Sequence, residues 1–239
     1  MPNLSMPNLI FFGDSLTQHR SQSHGSNLFL FFSRRADVIG RGYSGYTTRM
    51  CRQILPKLYP DRHSVQHCCQ FTIFLGANDA SLSDQHVPPE EYQKNLVDMV
   101  DYLQNIGVAA SRILLISLPP VDEARWNACE IAEGRPKNRE LKLCPVYAEA
   151  ARKAASDAHV LFLNLYEAMF EQHNWQRFFI DGLHFSRQGS QFLAELLIRI
   201  LERRLLPECS FQWPDWKTVD MHDSKHAFDS YLATGEDES

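Results

Sequence analysis

The chain has no long apolar run: none of its hydrophobic stretches approaches the roughly 20 residues that a membrane-spanning helix needs, so no such helix is expected. It also lacks an excess of basic charge. Lys plus Arg number 24 against 29 Asp plus Glu, a formal charge of −5 with no basic stripe, which argues against a nucleic-acid surface. The opening Met1-Pro2-Asn3-Leu4-Ser5-Met6-Pro7 carries neither Lys nor Arg, so no secretory leader is expected. No C-x-x-C spacing joins the six cysteines, which sit mostly beside apolar segments as reduced thiols of a cytoplasmic protein would. None of the ten histidines belongs to H-E-x-x-H, and His63 and His67 lie on a polar stretch, so no metal is expected. No Walker loop is present, and no nucleotide cofactor is expected. The nucleophile elbow G-x-S-x-G is missing as well.

What is present suits one α/β domain. With 239 residues, 44% of them hydrophobic, the chain can bury a large core. Apolar runs of strand length at 8–12, 37–40, 71–75, 113–117 and 159–163 alternate with helix-period stretches near 24–34, 47–59, 89–106 and 146–157. Parallel neighbours need crossover connections, so this alternation predicts a mainly parallel five-stranded sheet in a three-layer α/β/α sandwich, flavodoxin-like in outline. A last helix over 187–205 carries Phe192, Leu193, Leu196, Leu197, Ile200 and Leu201 on one stripe. The polar segment 122–145, with Gly134-Arg135-Pro136, reads as a long connection that partly covers the site. The domain is expected over 1–206. An extension over 207–239 follows, in which Phe211, Trp213 and Trp216 pack on the body and an acidic end is disordered.

Gly13-Asp14-Ser15-Leu16 follows the first apolar run and puts a hydroxyl at the carboxyl end of the first strand, the edge where open α/β sheets bind ligands. A serine there alone is as readily a helix N-cap. Asp181-Gly182-Leu183-His184 shifts the balance, because this spacing lets the carboxylate hold Nδ1 of His184 and leaves Nε2 to take a proton from Ser15. Gly76-Ala77-Asn78-Asp79 ends the third strand run. There the Asn78 amide can donate to a developing oxyanion, although an Asx-turn explains the same residues. In Arg41-Gly42-Tyr43-Ser44-Gly45-Tyr46, Gly45 or Gly42 can offer a backbone N–H, or either can be a turn glycine.

These four blocks, in this order, resemble the GDSL hydrolases, also called SGNH hydrolases, over about residues 9–189. Arg41 to Tyr46, Pro119-Pro120-Val121-Asp122-Glu123 and Asp181 to Ser186 resemble in particular the branch that includes isoamyl acetate-hydrolysing esterase. The resemblance implies Ser15 as nucleophile, Asp181 and His184 as the other triad members, and an oxyanion hole of Ser15 N–H, Gly45 N–H and the Asn78 amide, with Gly42 in reserve. Asp14 and Asp79 belong to the matched blocks as structural hydrogen-bonding residues. Gly40 departs from the Asn of many relatives, a matter of loop geometry. Leu16, Tyr43, Tyr46 and Phe185 adjoin the blocks and are candidates for the substrate pocket or for the core.

The expectation is a serine esterase working through an acyl-enzyme on a small ester, acetate-type by resemblance, with water as second substrate, no cofactor and a possible homo-oligomeric state. A lipid- or thioester-directed hydrolase or acyltransferase of the same fold is the alternative within catalysis. An inactive flavodoxin-like binding module is the alternative outside it.

Overall fold

Strand β1, Asn8–Gly13, is the centre of the molecule: Leu9, Ile10, Phe11 and Phe12 are buried on both faces, as a strand covered by helices above and below requires. A computed structural model describes residues 6–18, 26–205, 215–220, 222–226 and 228–229. The other strands are β2 (Asp37–Gly42), β3 (Cys68–Phe74), β4 (Ile113–Ile116) and β5 (Leu161–Leu163). They form one five-stranded sheet in the order β2-β1-β3-β4-β5, every pairing parallel.

Eight helices connect them: α1 (Ser15–Gln18), α2 (Ser26–Phe32), α3 (Thr48–Leu58), α4 (Pro89–Asn105), α5 (Glu123–Ala132), α6 (Cys144–Asp157), α7 (Leu165–Phe170) and α8 (Arg187–Leu205) among the described residues. Helix α4 packs against α3 on one side and α6 on the other, while α2 and α8 meet each other. The buried face of α6 is mostly alanine, Ala148, Ala150, Ala151, Ala154 and Ala155, which lets α4 approach closely and brings Tyr92 and Tyr147 edge to face at 5.3 Å. Helix α8 buries Leu193, Leu197 and Leu201 of the expected stripe, together with Ala194 and Leu205, while Phe192, Leu196 and Ile200 are half-buried against the core. No helix among the described residues is long and apolar enough to cross a membrane.

The segment 122–145 is not a plain connection. It holds α5, whose first turn is capped by the Asp122 carboxylate accepting from Arg125 N–H, and a 3-10 turn at Leu141–Leu143. Helix α5 lacks a continuous apolar stripe because its inner face is polar, burying Asn127 and Glu130, so the usual periodicity does not mark it. Two further short helical pieces, α7 and Trp175–Phe178, stand where no helix is expected. β2 runs on through Arg41 and Gly42 and β3 begins at Cys68, earlier than its apolar run suggests, because pairing with β1 continues past the apolar residues. Of the aromatic start of the extension, Phe211 and Trp213 lie outside the described residues. Trp216 is 71% exposed on a turn capped by Asp215.

Two registers fix where the site forms. Gly13 at the end of β1 lies opposite Gly42 of β2 and Phe74 of β3, so the residues after these three strands emerge side by side at the carboxyl edge. The strand order turns back between β1 and β3, and such a switch point opens a crevice outside the sheet.

Candidate active site

Ser15 opens α1 directly beyond β1. Its own hydroxyl does not cap the helix. Asp14 does so instead: its Oδ1 accepts from Leu16 N–H at 2.9 Å, and its carbonyl accepts from Thr17 and Gln18 N–H at 3.1 and 2.9 Å. The Ser15 hydroxyl is thereby left for another partner. Gly13 is dictated by packing, since a Cβ there would lie 2.3 Å from both the Phe74 carbonyl oxygen and Thr17 Oγ1.

That partner is His184, whose Nε2 lies 3.0 Å from Ser15 Oγ. On the other side of the ring, Nδ1 lies 2.7 Å from Asp181 Oδ2. A tight loop presents both residues. Phe179 and Phe185 pair as an antiparallel bridge, Ile180 N–H donates to the His184 carbonyl, and Asp181 Oδ1 accepts from the backbone of Leu183 and His184 at 2.9 and 2.7 Å. Gly182 sits at φ +100°, where a Cβ would come within 2.6 Å of the Asp122 carbonyl, so only glycine lets this loop dock on the start of α5. Burial acts to raise the Asp181 carboxyl, but the hydrogen bond from the His184 ring and those from the two backbone amides outweigh it and hold it at about 2. An ionised carboxylate on Nδ1 selects the tautomer whose Nε2 accepts from a hydroxyl.

A cavity of about 710 Å³ opens over this row, and Ser15, Gly45, Asn78 and His184 all line it. The β2-to-α3 loop that carries Gly45 is tied on both sides, with Gln18 Oε1 accepting from Ser44 N–H and Gln85 Nε2 donating to the Gly45 carbonyl, both at 2.8 Å. Gly45 adopts φ +80° in that turn. Gly42 does a different job: a Cβ there would strike the Gln18 backbone at 2.1 Å, so its glycine lets β2 and α1 touch. The Asn78 amide donates through Nδ2 to the Tyr46 carbonyl at 3.0 Å, which leaves its second N–H for a ligand.

The acids beside these blocks are both buried and both structural. Asp79 accepts from Thr48 N–H and Oγ1, which pins the start of α3 to the end of β3, and burial pushes its carboxyl up to about 6 despite those bonds. Asp14 is fully buried, and burial pushes it up to about 7.

Leu16, Tyr43, Tyr46 and Phe185 do not line the cavity. Leu16 is buried in the core, Tyr43 stacks on Tyr46 at 5.4 Å and meets the Phe12 ring at 6.1 Å, and Phe185 stacks on Phe74 and Phe179. Their apolar surface is already spent on neighbouring rings. The wall is built instead by Leu82, Ser83 and Gln85 after β3 and by Trp126, Asn138 and Arg139 of the 122–145 segment. The Trp126 ring meets His184 edge-on at 5.8 Å, and Arg139, only 4% exposed, sends Nη2 to Asn78 Oδ1 at 3.3 Å. Sequence reasoning missed these contributors. An arginine in a polar stretch looks like solvated surface, and the hint was only that the segment covers the site.

The profile of the GDSL-like lipase/acylhydrolase family matches residues 11–192. The chain belongs to this family. As a GDSL-family chain it is a carboxylic ester hydrolase, and its relatives agree. It is 37% identical over 226 residues to the isoamyl acetate-hydrolyzing esterase 1 homolog of Mus musculus, covering 91% of this chain and 90% of that one. It is 30% identical to the isoamyl acetate-hydrolyzing esterase of Saccharomyces cerevisiae, over 88% of this chain and 94% of that one. Among solved structures, the lipase/acylhydrolase from Enterococcus faecalis superposes with a TM-score of 0.64 at 26% identity, covering 83% of this chain and 97% of that one.

Proposed function

We propose that this GDSL hydrolase cleaves short-chain carboxylic esters, acetate esters foremost, with Ser15 as nucleophile, His184 as general base and acid, and Asp181 as the group that orients and stabilises the imidazole. The observation that carries this reading is the continuous row Ser15 Oγ, His184 Nε2, His184 Nδ1, Asp181 Oδ2, at 3.0 and 2.7 Å, opening into a cavity.

Ser15 Oγ attacks the ester carbonyl carbon as its proton passes to His184 Nε2. The negative charge gathers on the former carbonyl oxygen, where Ser15 N–H, Gly45 N–H and the free N–H of Asn78 receive it. Collapse breaks the bond to the alkoxy oxygen, which takes the proton from Nε2 and leaves as the alcohol. Water then attacks the acyl-serine, gives its proton to Nε2, and the second collapse returns that proton to Ser15 Oγ and releases the acid. Asp181 stays ionised throughout, consistent with a carboxyl held at about 2.

The preference for a small acyl group rests on the similarity to esterases named for isoamyl acetate, at 37% and 30% identity over most of the chain. A cytoplasmic site of action agrees with Cys51, Cys68, Cys69, Cys129 and Cys144 forming no disulfide among the described residues. Partners are then an ester and water, acting on a chain that works alone or as a homo-oligomer, without nucleic acid. Kinetics on p-nitrophenyl esters from acetate to palmitate test the substrate class. We expect kcat/KM to fall by about tenfold or more between the acetate and the decanoate, since pocket fit of each methylene is worth about 1 kcal/mol or more. Activity that climbs toward long chains, or acyl transfer to added alcohol that outruns hydrolysis, would mean a lipid-directed hydrolase or an acyltransferase instead.

A further inference from the structure

Arg139 lies outside all four sequence blocks, yet its guanidinium reaches the residue proposed as oxyanion donor. A side-chain carboxamide can sit in two orientations a half-turn apart, with oxygen and nitrogen exchanged. Near a developing oxyanion the two have opposite effects: one presents an N–H, the other an oxygen that repels the charge. Asn78 therefore needs something that distinguishes its two ends.

We infer that Arg139 is the positioning residue that locks the Asn78 carboxamide in its donating orientation, an inference that rests on the oxyanion role proposed for Asn78. An arginine is donor-only and can face nothing but Oδ1, which it does at 3.3 Å through Nη2. The Tyr46 carbonyl is acceptor-only and can face nothing but the amide nitrogen, which donates to it at 3.0 Å. The two partners agree on one orientation. A flip would set Nδ2 against the guanidinium and Oδ1 against the Tyr46 carbonyl.

Arg139 can serve as a lock because it is itself held. Its Nη1 donates to the Asn138 carbonyl and to Asn138 Oδ1, both at 3.1 Å. Its backbone is clamped by Asn127, whose Nδ2 donates to the Arg139 carbonyl at 2.9 Å and whose Oδ1 accepts from Arg139 N–H at 3.3 Å. The guanidinium lies over the Trp126 ring at 5.6 Å. Asn138 is oriented in turn, by Trp126 Nε1 donating to its Oδ1 and by its own Nδ2 donating to Glu130, each at 2.7 Å. Trp126 also meets the His184 ring, so one partly buried polar network supports both the oxyanion side and the imidazole side of the site. Burial lowers the Arg139 guanidinium to about 10, which leaves it charged at neutral pH. It accordingly polarises the Asn78 amide toward a stronger N–H donor.

The test is a double-mutant cycle on hydrolysis of p-nitrophenyl acetate, with kcat expressed per active site titrated by a fluorophosphonate. Asn78→Ala should lose about 10² to 10³ in kcat. Arg139→Met should lose about 10- to 100-fold in kcat with KM changed less than about threefold. The double mutant should be no slower than Asn78→Ala to within about threefold, because Arg139 acts through Asn78. Losses that multiply in the double mutant, or an Arg139→Met enzyme with wild-type kcat per site and merely a lower Tm, would overturn the lock. Unchanged kcat in Asn78→Ala would overturn the oxyanion role of Asn78 and this inference with it. Should Arg139→Met fail to fold, Arg139→Gln decides, since a carboxamide offers both a donor and an acceptor and no longer tells the two ends of Asn78 apart: a kcat loss that vanishes in the Asn78→Ala background supports the lock, whereas no loss, or the same loss in both backgrounds, refutes it.

Discussion

At Ser15 the two demands made on a residue at a strand-to-helix junction fall to different side chains. A helix start needs an acceptor, and Asp14 Oδ1 supplies it, so Ser15 Oγ remains available for His184. The arrangement has a stability cost that pH should reveal. The Asp14 carboxyl is pushed from an ordinary 3.8 to about 7, mainly by burial, and its Oδ2 has no hydrogen-bond partner among the described residues. Between those values the folded chain keeps a proton that the unfolded chain has released, so stability falls as pH rises from about 4 to about 7. Asp79, at about 6, contributes with the same sign. Asp181 contributes with the opposite sign and in another window, its stabilisation being present above the ordinary value and lost as pH falls toward about 2. Asn in place of Asp14 keeps the acceptor for Leu16 N–H and removes the titration. Thermal melts from pH 4 to pH 8 should therefore show Asp14→Asn melting on the order of 5 °C above wild type at pH 8, the gap closing toward pH 4. Parallel Tm curves would mean that Asp14 carries no such cost.

Among the elements, the legible ones were those whose apolar pattern matches their burial. β1 and α8 bury a run and a stripe that can be read directly from Leu9 to Phe12 and at Leu193, Leu197 and Leu201. Helix α5 was not legible, because its buried face is Asn127 and Glu130 satisfied by Arg139, Asn138 and Arg135, and such partners come from tertiary structure alone. The four blocks could be picked out at Ser15, at Gly45, at Asn78 and at Asp181 with His184, while the pocket wall of Trp126, Asn138 and Arg139 could not. Glycines divide likewise by what surrounds them. A Cβ at Gly40 would meet nothing within 4 Å, so an alanine there has no steric consequence. One at Gly42 would collide with Gln18, the residue that ends α1 and holds Ser44 N–H. Gly40→Ala should thus fold within about 0.5 kcal/mol of wild type, while Gly42→Ala should lose about 2 kcal/mol or more and reduce kcat as well, since α1 carries Ser15. Denaturant titrations of the pair check this, and equal stabilities would contradict the close β2-to-α1 contact.

For the whole molecule, the parallel sheet explains how residues 169 positions apart come to share a hydrogen bond. Every strand points the same way, so every block that follows a strand emerges at one edge, and the reversal of order between β1 and β3 leaves room there for a ligand. If that convergence is what makes the chain an esterase, one hydroxyl must account both for turnover and for covalent capture of an acylating agent. The direct measurement is fluorophosphonate labelling of wild type and folded Ser15→Ala, with p-nitrophenyl acetate hydrolysis read on the same samples. Wild type should take up one adduct on the peptide that contains Ser15. Ser15→Ala should take up none and lose about 10⁴-fold or more in kcat/KM. Undiminished labelling of Ser15→Ala, or hydrolysis within about tenfold of wild type, would contradict the account.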